Sequence, residues 1–456
     1  MKTDKYRRLL SCCPSLLDAA DKTANDMNED LQNNIPAQVT AYVTAPVLFC
    51  YVSYILDSVK KNNINRIFFL SRDGYILKQI ADIIIERKKL EIQTSYLYVS
   101  RYSLRNALYY KCETAEDFEN AGLFTGYTLK SAKNFLKRAG LDNRQRAEVY
   151  KKIGFFEDEN KDLSDSEYSA FCEKVKNDSA LLCKIKNNSE NNYHNIMKYF
   201  EQSGLFEKGK IAVVDSGWMG TVQKTLTALV NGRTDDNIIG YYFGLYRRED
   251  DNYKAFLFDI TDAYKYVPTF CNNLFECFCS APHGMTTGYR ECDGKIIPVL
   301  SDANAEMVKM AEIQTKTAVR FTEYACENEN YIPICKMRDI SARLLKALMY
   351  NPDKQEAEIL GAFPFSDDVT EAKIQRLAGN CKGSISNILL PVRIIRKKKG
   401  KSIYPDKYIY WLYGSIVLTG CKPAWVYRLS VREWERLRLL RERKNYAVNI
   451  SNNGSA

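Results

Sequence analysis

Apolar and polar positions follow two different periods along this chain. Residues 66–70, RIFFL, run apolar without alternation after a basic start, which predicts a strand buried on both faces. The run stops at Ser71-Arg72-Asp73-Gly74. Ile76, Ile80, Ile83 and Ile84 then recur at the spacing of a helix over about 75–88. A second strand is predicted at TSYLYVSR, 94–101. Others are predicted within KGKIAVVDSGWMG (208–220), NIIGYYFGLY (237–246) and the shorter AFLFD (255–259). Continuous apolar runs separated by helical patterns predict a parallel sheet covered by helices, an α/β, Rossmann-like core.

Five segments follow from the pattern. Residues 1–36 are polar, irregular or loosely helical. Residues 37–114 hold the first part of the α/β core. Residues 115–208 are charge-laced and helical, an insertion or lid, and 209–301 return to the core. Residues 302–456 form a mostly helical, basic C-terminal region. The uncharged stretch 37–56 has the length of a membrane span. Its Gln38, Thr40, Thr44, Ser53, three tyrosines and Pro46 instead favour a buried helix beside the sheet, continuing to about Lys61, with Pro46 in its first turn.

The 456 residues carry 66 Lys plus Arg against 56 Asp plus Glu, a net charge of +10 that favours anionic partners. No zinc-finger or RNP pattern accompanies it, so nucleic acid is not expected. Fourteen scattered cysteines fit reduced thiols and a cytoplasmic location. Cys271, Cys277, Cys279 and Cys292 lack zinc-ribbon spacing. The basic run RIIRKKKGK (393–401) and the basic helix 428–444 have two readings. One is a solvated face on packed helices, with Val431, Trp434, Leu437 and Leu440 near the inner side of the second. The other is peripheral contact with anionic lipid on the inner face of the cell membrane.

Two strand ends carry candidate chemistry, because ligands of open α/β sheets sit at the carboxyl ends of strands. The first is Ser71-Arg72-Asp73-Gly74. The second is Asp215-Ser216-Gly217-Trp218-Met219-Gly220-Thr221, leading into a helix. Gly217, Gly220 and the Thr221 hydroxyl would make a small phosphate cradle at a helix start. Asp215 would accept hydrogen bonds from sugar hydroxyls or hold Mg²⁺ through water. Arg101 and Arg105 add forked donors past the second strand. Glu276 and His283, in 273–289, would form a third wall, unless His283 is simply a satisfied loop histidine. No P-loop, G-x-S-x-G elbow or H-E-x-x-H is present. A haloacid-dehalogenase phosphatase needs a nucleophilic Asp where Ser71 stands, which makes that chemistry the weakest reading.

IFFLSRDGYILKQIAD, YLYVSRYSLR, VVDSGWMGTVQKTL and LFECFCSAPHGMTTGY together resemble a bacterial family. Its members carry the label of predicted haloacid-dehalogenase-superfamily hydrolases and are associated with surface-polysaccharide glycosyltransferases. The N-terminal hydrolase module of longer members has no counterpart here, and the remaining module is similar to type I phosphoribosyltransferases. The resemblance implies transfer of a ribose 5-phosphate unit from phosphoribosyl pyrophosphate to a glycan acceptor, lipid-linked or free, in capsule or O-antigen synthesis. A separate phosphatase would act afterwards. It implies that Arg72, Asp73 and Gly74 hold pyrophosphate, that Asp215 meets the ribose hydroxyls, and that Ser216, Gly217, Gly220 and Thr221 hold the 5-phosphate. Arg72, Arg101 and Mg²⁺ would stabilise the departing pyrophosphate, with Asp73 or Glu276 as base. Asp215 is followed by Ser216 where such enzymes have a second acid. The competing expectation is a non-catalytic scaffold of a polysaccharide assembly complex.

Overall fold

The computed structural model describes residues 3–27, 34–125, 130–153, 159–234, 238–327, 331–366, 374–405 and 409–453. The apolar runs become β1 (Arg66–Leu70), β2 (Gln93–Leu97), β3 (Ile211–Asp215), β4 (Ile239–Gly244) and β5 (Tyr253–Phe258). They form one all-parallel sheet in the order β2-β1-β3-β4-β5. Side chains alternate between its faces, as the strand period requires. Ile67, Phe69, Ala212 and Val214 enter the larger core, while Phe68, Leu70, Ile211 and Val213 enter a second core on the other face. The Ile35–Lys61 and Gly74–Lys88 helices cover the first face. The Arg101–Leu108, Ser179–Gln202 and Thr221–Val230 helices cover the second. Each fully buried Leu or Ile adds about 1.5–3 kcal/mol relative to exposure, so this two-sided burial is what holds the sheet.

Arg66 shows how β1 and β3 are brought side by side. Its guanidinium is buried and donates to the carbonyls of Gly204 (2.5 Å), Lys208 (3.1 Å) and Gly209 (3.2 Å), tying the turn before β3 to the start of β1. The chain moves outward from β1 to β2, then returns to place β3 on the other side of β1. That reversal makes β1/β3 the switch point, and ligand crevices open there.

The Ile35–Lys61 helix is apolar and long enough to span a membrane, and 94% of its most apolar window is buried inside the fold. Pro46 lacks an N–H and crowds the preceding turn. Residues Thr40–Thr44 just before it form a π-helical turn, which accommodates that crowding without ending the helix. The insertion is helical from Ala115 to Gln202, with no strand among its described residues, and has its own core around Phe118, Phe135, Phe171 and Ile185.

Of the two readings of the polar N-terminal segment, the helical one holds: helices Asp4–Leu10 and Pro14–Asn25 bury Tyr6, Leu10, Leu16 and Ala20, one turn apart in each pair. Residues 286–300 add an element that the apolar pattern does not predict, an antiparallel ribbon of β6 (Thr286–Cys292) with β7 (Lys295–Leu300). Its turn has positive φ at both Asp293 (51°) and Gly294 (73°), as a tight hairpin requires. In the C-terminal helix, Ala424–Asn453, Val431 and Leu439 are buried but Leu437 is 47% exposed. The run at 393–401 is likewise inverted. Arg393 is fully buried between the rings of Tyr404 (5.2 Å) and Trp434 (5.4 Å), while Ile394 and Ile395 face outward.

Candidate functional site

β1, β2 and β3 each end where a helix begins. The Gly74–Lys88, Arg101–Leu108 and Thr221–Val230 helices therefore point their N-termini, the positive ends of their dipoles, at one edge of the sheet. A cavity of about 1030 Å³ opens there, between this edge, the insertion and the β6–β7 ribbon.

The two candidate loops meet at its rim. The Ser216 hydroxyl donates to a carboxylate oxygen of Asp73, 143 residues away in sequence. Asp73 stands at the N-cap of its helix, yet its carboxylate makes no capping bond, having turned to Ser216. Asp215 accepts from the Ser216 backbone N–H (2.9 Å), and its carbonyl accepts from the buried Tyr51 hydroxyl (2.8 Å), which fixes the end of β3. Glu276, on the Asn272–Phe278 helix, accepts from the indole N–H of Trp218 at 2.6 Å. Asp73, Asp215 and Glu276 all line the cavity, with Arg72, Arg101 and Arg105 in the same wall.

The electrostatics follow from crowded carboxylates in a partly dry wall. Burial pushes the Asp73 carboxyl above its ordinary value, opposed by the Ser216 hydroxyl and the charges of Arg72 and Arg101. Burial, then the charge of Asp73, holds Asp215 well above the carboxylate range, with the Ser216 N–H and Arg101 opposing. Mg²⁺ commonly uses only one or two carboxylates plus substrate phosphates. Asp215, with Asp73 beside it, fits that donor set, because a cation would relieve their mutual repulsion. Among the described residues no group of three or more metal-ligating side chains is gathered.

The remaining residues divide by how their polar atoms are used. Ser71 is committed to the scaffold: its hydroxyl donates to the Val99 carbonyl (2.8 Å) and accepts from the Val99 N–H (3.2 Å), locking β1 to β2. Ser216 is buried and spent on Asp73, so it is not free for a phosphate. Gly74 lets the backbone double back tightly, since a Cβ there would lie 2.7 Å from the Phe69 carbonyl carbon. Gly220 begins the Thr221–Val230 helix at φ 65° and offers no side-chain cap, so the start of that helix faces the cavity beside the Thr221 hydroxyl. Gly217 lies in the cavity wall. His283 lies outside that lining. Its Nδ1–H donates to the Gly284 carbonyl (2.8 Å) and its Nε2 accepts from the Tyr96 hydroxyl (2.8 Å), and burial lowers its pKa. It is a satisfied, neutral loop histidine.

Sequence reasoning passed over several lining residues. Thr286 opens β6, is buried, and its hydroxyl has no hydrogen-bond partner among the described residues. Gly122 and Thr125 bring the insertion to the mouth. The Asp-Gly turn signal would have found the ribbon and so Thr286, but nothing local marks the insertion's approach. No protein-family model matches the chain, and no curated protein matches it.

Proposed function

We propose that this protein is a glycosyltransferase of the phosphoribosyltransferase type. It moves a ribose 5-phosphate unit from phosphoribosyl pyrophosphate onto a glycan hydroxyl. The observation that carries the reading is the Ser216–Asp73 contact, which brings two distant anion-facing loops to one rim of a cavity at the β1/β3 switch point. Arg72, Arg101 and the start of the Gly74–Lys88 helix receive the pyrophosphate. Thr221 and the uncapped start of its helix receive the 5-phosphate. Asp215 accepts hydrogen bonds from the ribose hydroxyls. Asp73 or Glu276 takes the proton of the acceptor hydroxyl as its oxygen bonds to the anomeric carbon and the bond to pyrophosphate breaks. Mg²⁺, held by Asp215, would supply neutralising charge to the departing pyrophosphate.

The acceptor end of the reading includes an anionic membrane. Ile394 (45% exposed) and Ile395 (54%) stand out on the same helix as Lys397 and Lys398, a composition suited to an interfacial surface. Vesicles of phosphatidylglycerol should retain the protein and release the Ile394→Asp/Ile395→Asp variant. Equal retention of the two would remove the membrane from the proposal.

Incubation with phosphoribosyl pyrophosphate, Mg²⁺ and a polysaccharide acceptor should release pyrophosphate, and Asp73→Asn or Glu276→Gln should identify the base by abolishing release. No calorimetric binding of the donor by the wild-type protein, together with no release, would end the transferase reading.

A further inference from the structure

A second concavity, of about 410 Å³, lies beside β5, between residues 264–270, the Ile334–Met349 helix and the Ala424–Asn453 helix. Five cations face it: Lys265, Arg343, Lys346, Arg432 and Arg436. Arg343 and Lys346 are one turn apart on one helix, and Arg432 and Arg436 one turn apart on the other, so each pair shares a face. Among the described residues Glu433 is the one carboxylate in the lining, paired to Arg432 at 2.7 Å and Arg436 at 3.4 Å. Asp339 pairs with Arg343 at 2.7 Å. Five cations against two carboxylates leave three positive charges. Neither Lys265 nor Lys346 forms an ion pair among the described residues; the Lys265 ammonium lies 5.7 Å from the Tyr264 ring centroid.

Like charges gathered in a concavity repel, and they raise the local concentration of an oppositely charged ligand. Guanidinium forks match phosphate oxygens two at a time. The remaining walls, including Tyr264, Tyr266, Pro268 and Leu345, are apolar or aromatic, and the volume is that of a small-molecule pocket. The groove shares no lining residue with the larger cavity. One aromatic layer parts them: Phe270 lines the groove, and its ring lies 5.3 Å from that of Trp218, which lines the larger cavity.

We infer that this groove is a second anion site, for a phosphate or diphosphate group carried on a ligand with an apolar or planar portion. The inference does not rest on the transferase reading. That group could belong to a soluble phosphate compound or to a lipid headgroup, and the test has an arm for each. Inorganic pyrophosphate is titrated calorimetrically, without Mg²⁺, into the full chain carrying Arg72→Ala/Arg101→Ala, which removes two cations from the wall of the larger cavity. The same protein is floated with phosphatidylglycerol or phosphatidylcholine vesicles. Both are repeated after Lys265→Gln/Lys346→Gln/Arg436→Gln, three exposed side chains, with Lys346→Gln alone as the milder variant should the triple change the melting transition.

Loss of three charges should weaken binding about tenfold or more, and the single change by about two- to threefold. Pyrophosphate binding that falls this way identifies a soluble ligand class. Retention on anionic vesicles that falls this way, without pyrophosphate binding, identifies a headgroup. No binding in either arm, or binding indifferent to the substitutions, overturns the inference. Failure of the donor reading would appear separately, in the wild-type transfer assay.

Discussion

Ser216→Ala tests the contact on which the site depends. The substitution removes one oxygen from a buried side chain and leaves almost no void, so its cost is that of the hydrogen bond to Asp73. A bond to an ionised acceptor is worth about 1.5–3 kcal/mol, and one to a neutral acceptor about 0.5–1.5 kcal/mol. Burial raises the Asp73 carboxyl and the Ser216 hydroxyl opposes that rise, so the variant should hold its proton more tightly still. A carboxyl that binds its proton more tightly folded than unfolded stabilises the fold at low pH. That contribution is lost as pH climbs through the raised folded value. The loss should therefore grow with pH, from about 1 kcal/mol where Asp73 holds its proton to about 2–3 kcal/mol where it is ionised. Urea unfolding followed by tryptophan fluorescence across a pH series measures the change. A loss that does not grow with pH, or one under about 0.5 kcal/mol throughout, would show that the hydroxyl does not hold Asp73 in its charged form.

Gly220→Ala places a Cβ 2.4 Å from the Tyr253 ring at a φ of 65° and should destabilise by about 1–3 kcal/mol in thermal or urea unfolding; a wild-type transition would refute the tight turn. Arg393 is buried with no hydrogen-bond partner for any guanidinium nitrogen among the described residues, so Arg393→Met should change stability by no more than about 1 kcal/mol. A loss above about 3 kcal/mol would mean that the stacked charge is a major support. Burial holds the His283 pKa below the free value, so its contribution is present above the free imidazole pKa and is lost as pH falls from there through the lower folded value. His283→Gln should flatten stability against pH below about 6.5, and an unchanged slope would assign the dependence elsewhere.

How far the sequence could be read depends on how local each cause is. RIFFL and IAVVD declare themselves as strands because both faces are covered. The second strand ends at Leu97, not Arg101, because the Tyr98 N–H donates to the Tyr199 hydroxyl (2.9 Å) and Ser100 caps the next helix. Neither partner is visible from the apolar pattern. The Asp293-Gly294 turn is legible as a hairpin signal, though its polar neighbours mask the strands on either side. The inversion at Arg393 was not legible, since a basic run ordinarily reads as solvated and the rings of Tyr404 and Trp434 arrive from distant segments. Both glycine loops could be marked as candidates from strand ends alone. That the hydroxyl of one would be consumed by the carboxylate of the other needed the adjacency of β1 and β3, which the long insertion conceals.

The separation of those two strands also governs when the protein becomes itself. β1 leaves the ribosome without its central neighbour, and the 143 residues between Asp73 and Ser216 take roughly 7–30 s to synthesise at about 5–20 residues per second. For that interval one edge of the nascent β1–β2 pair is unsatisfied and open to wrong partners. The insertion, with its own core, can gather in the meantime and shorten the effective loop that β3 must close.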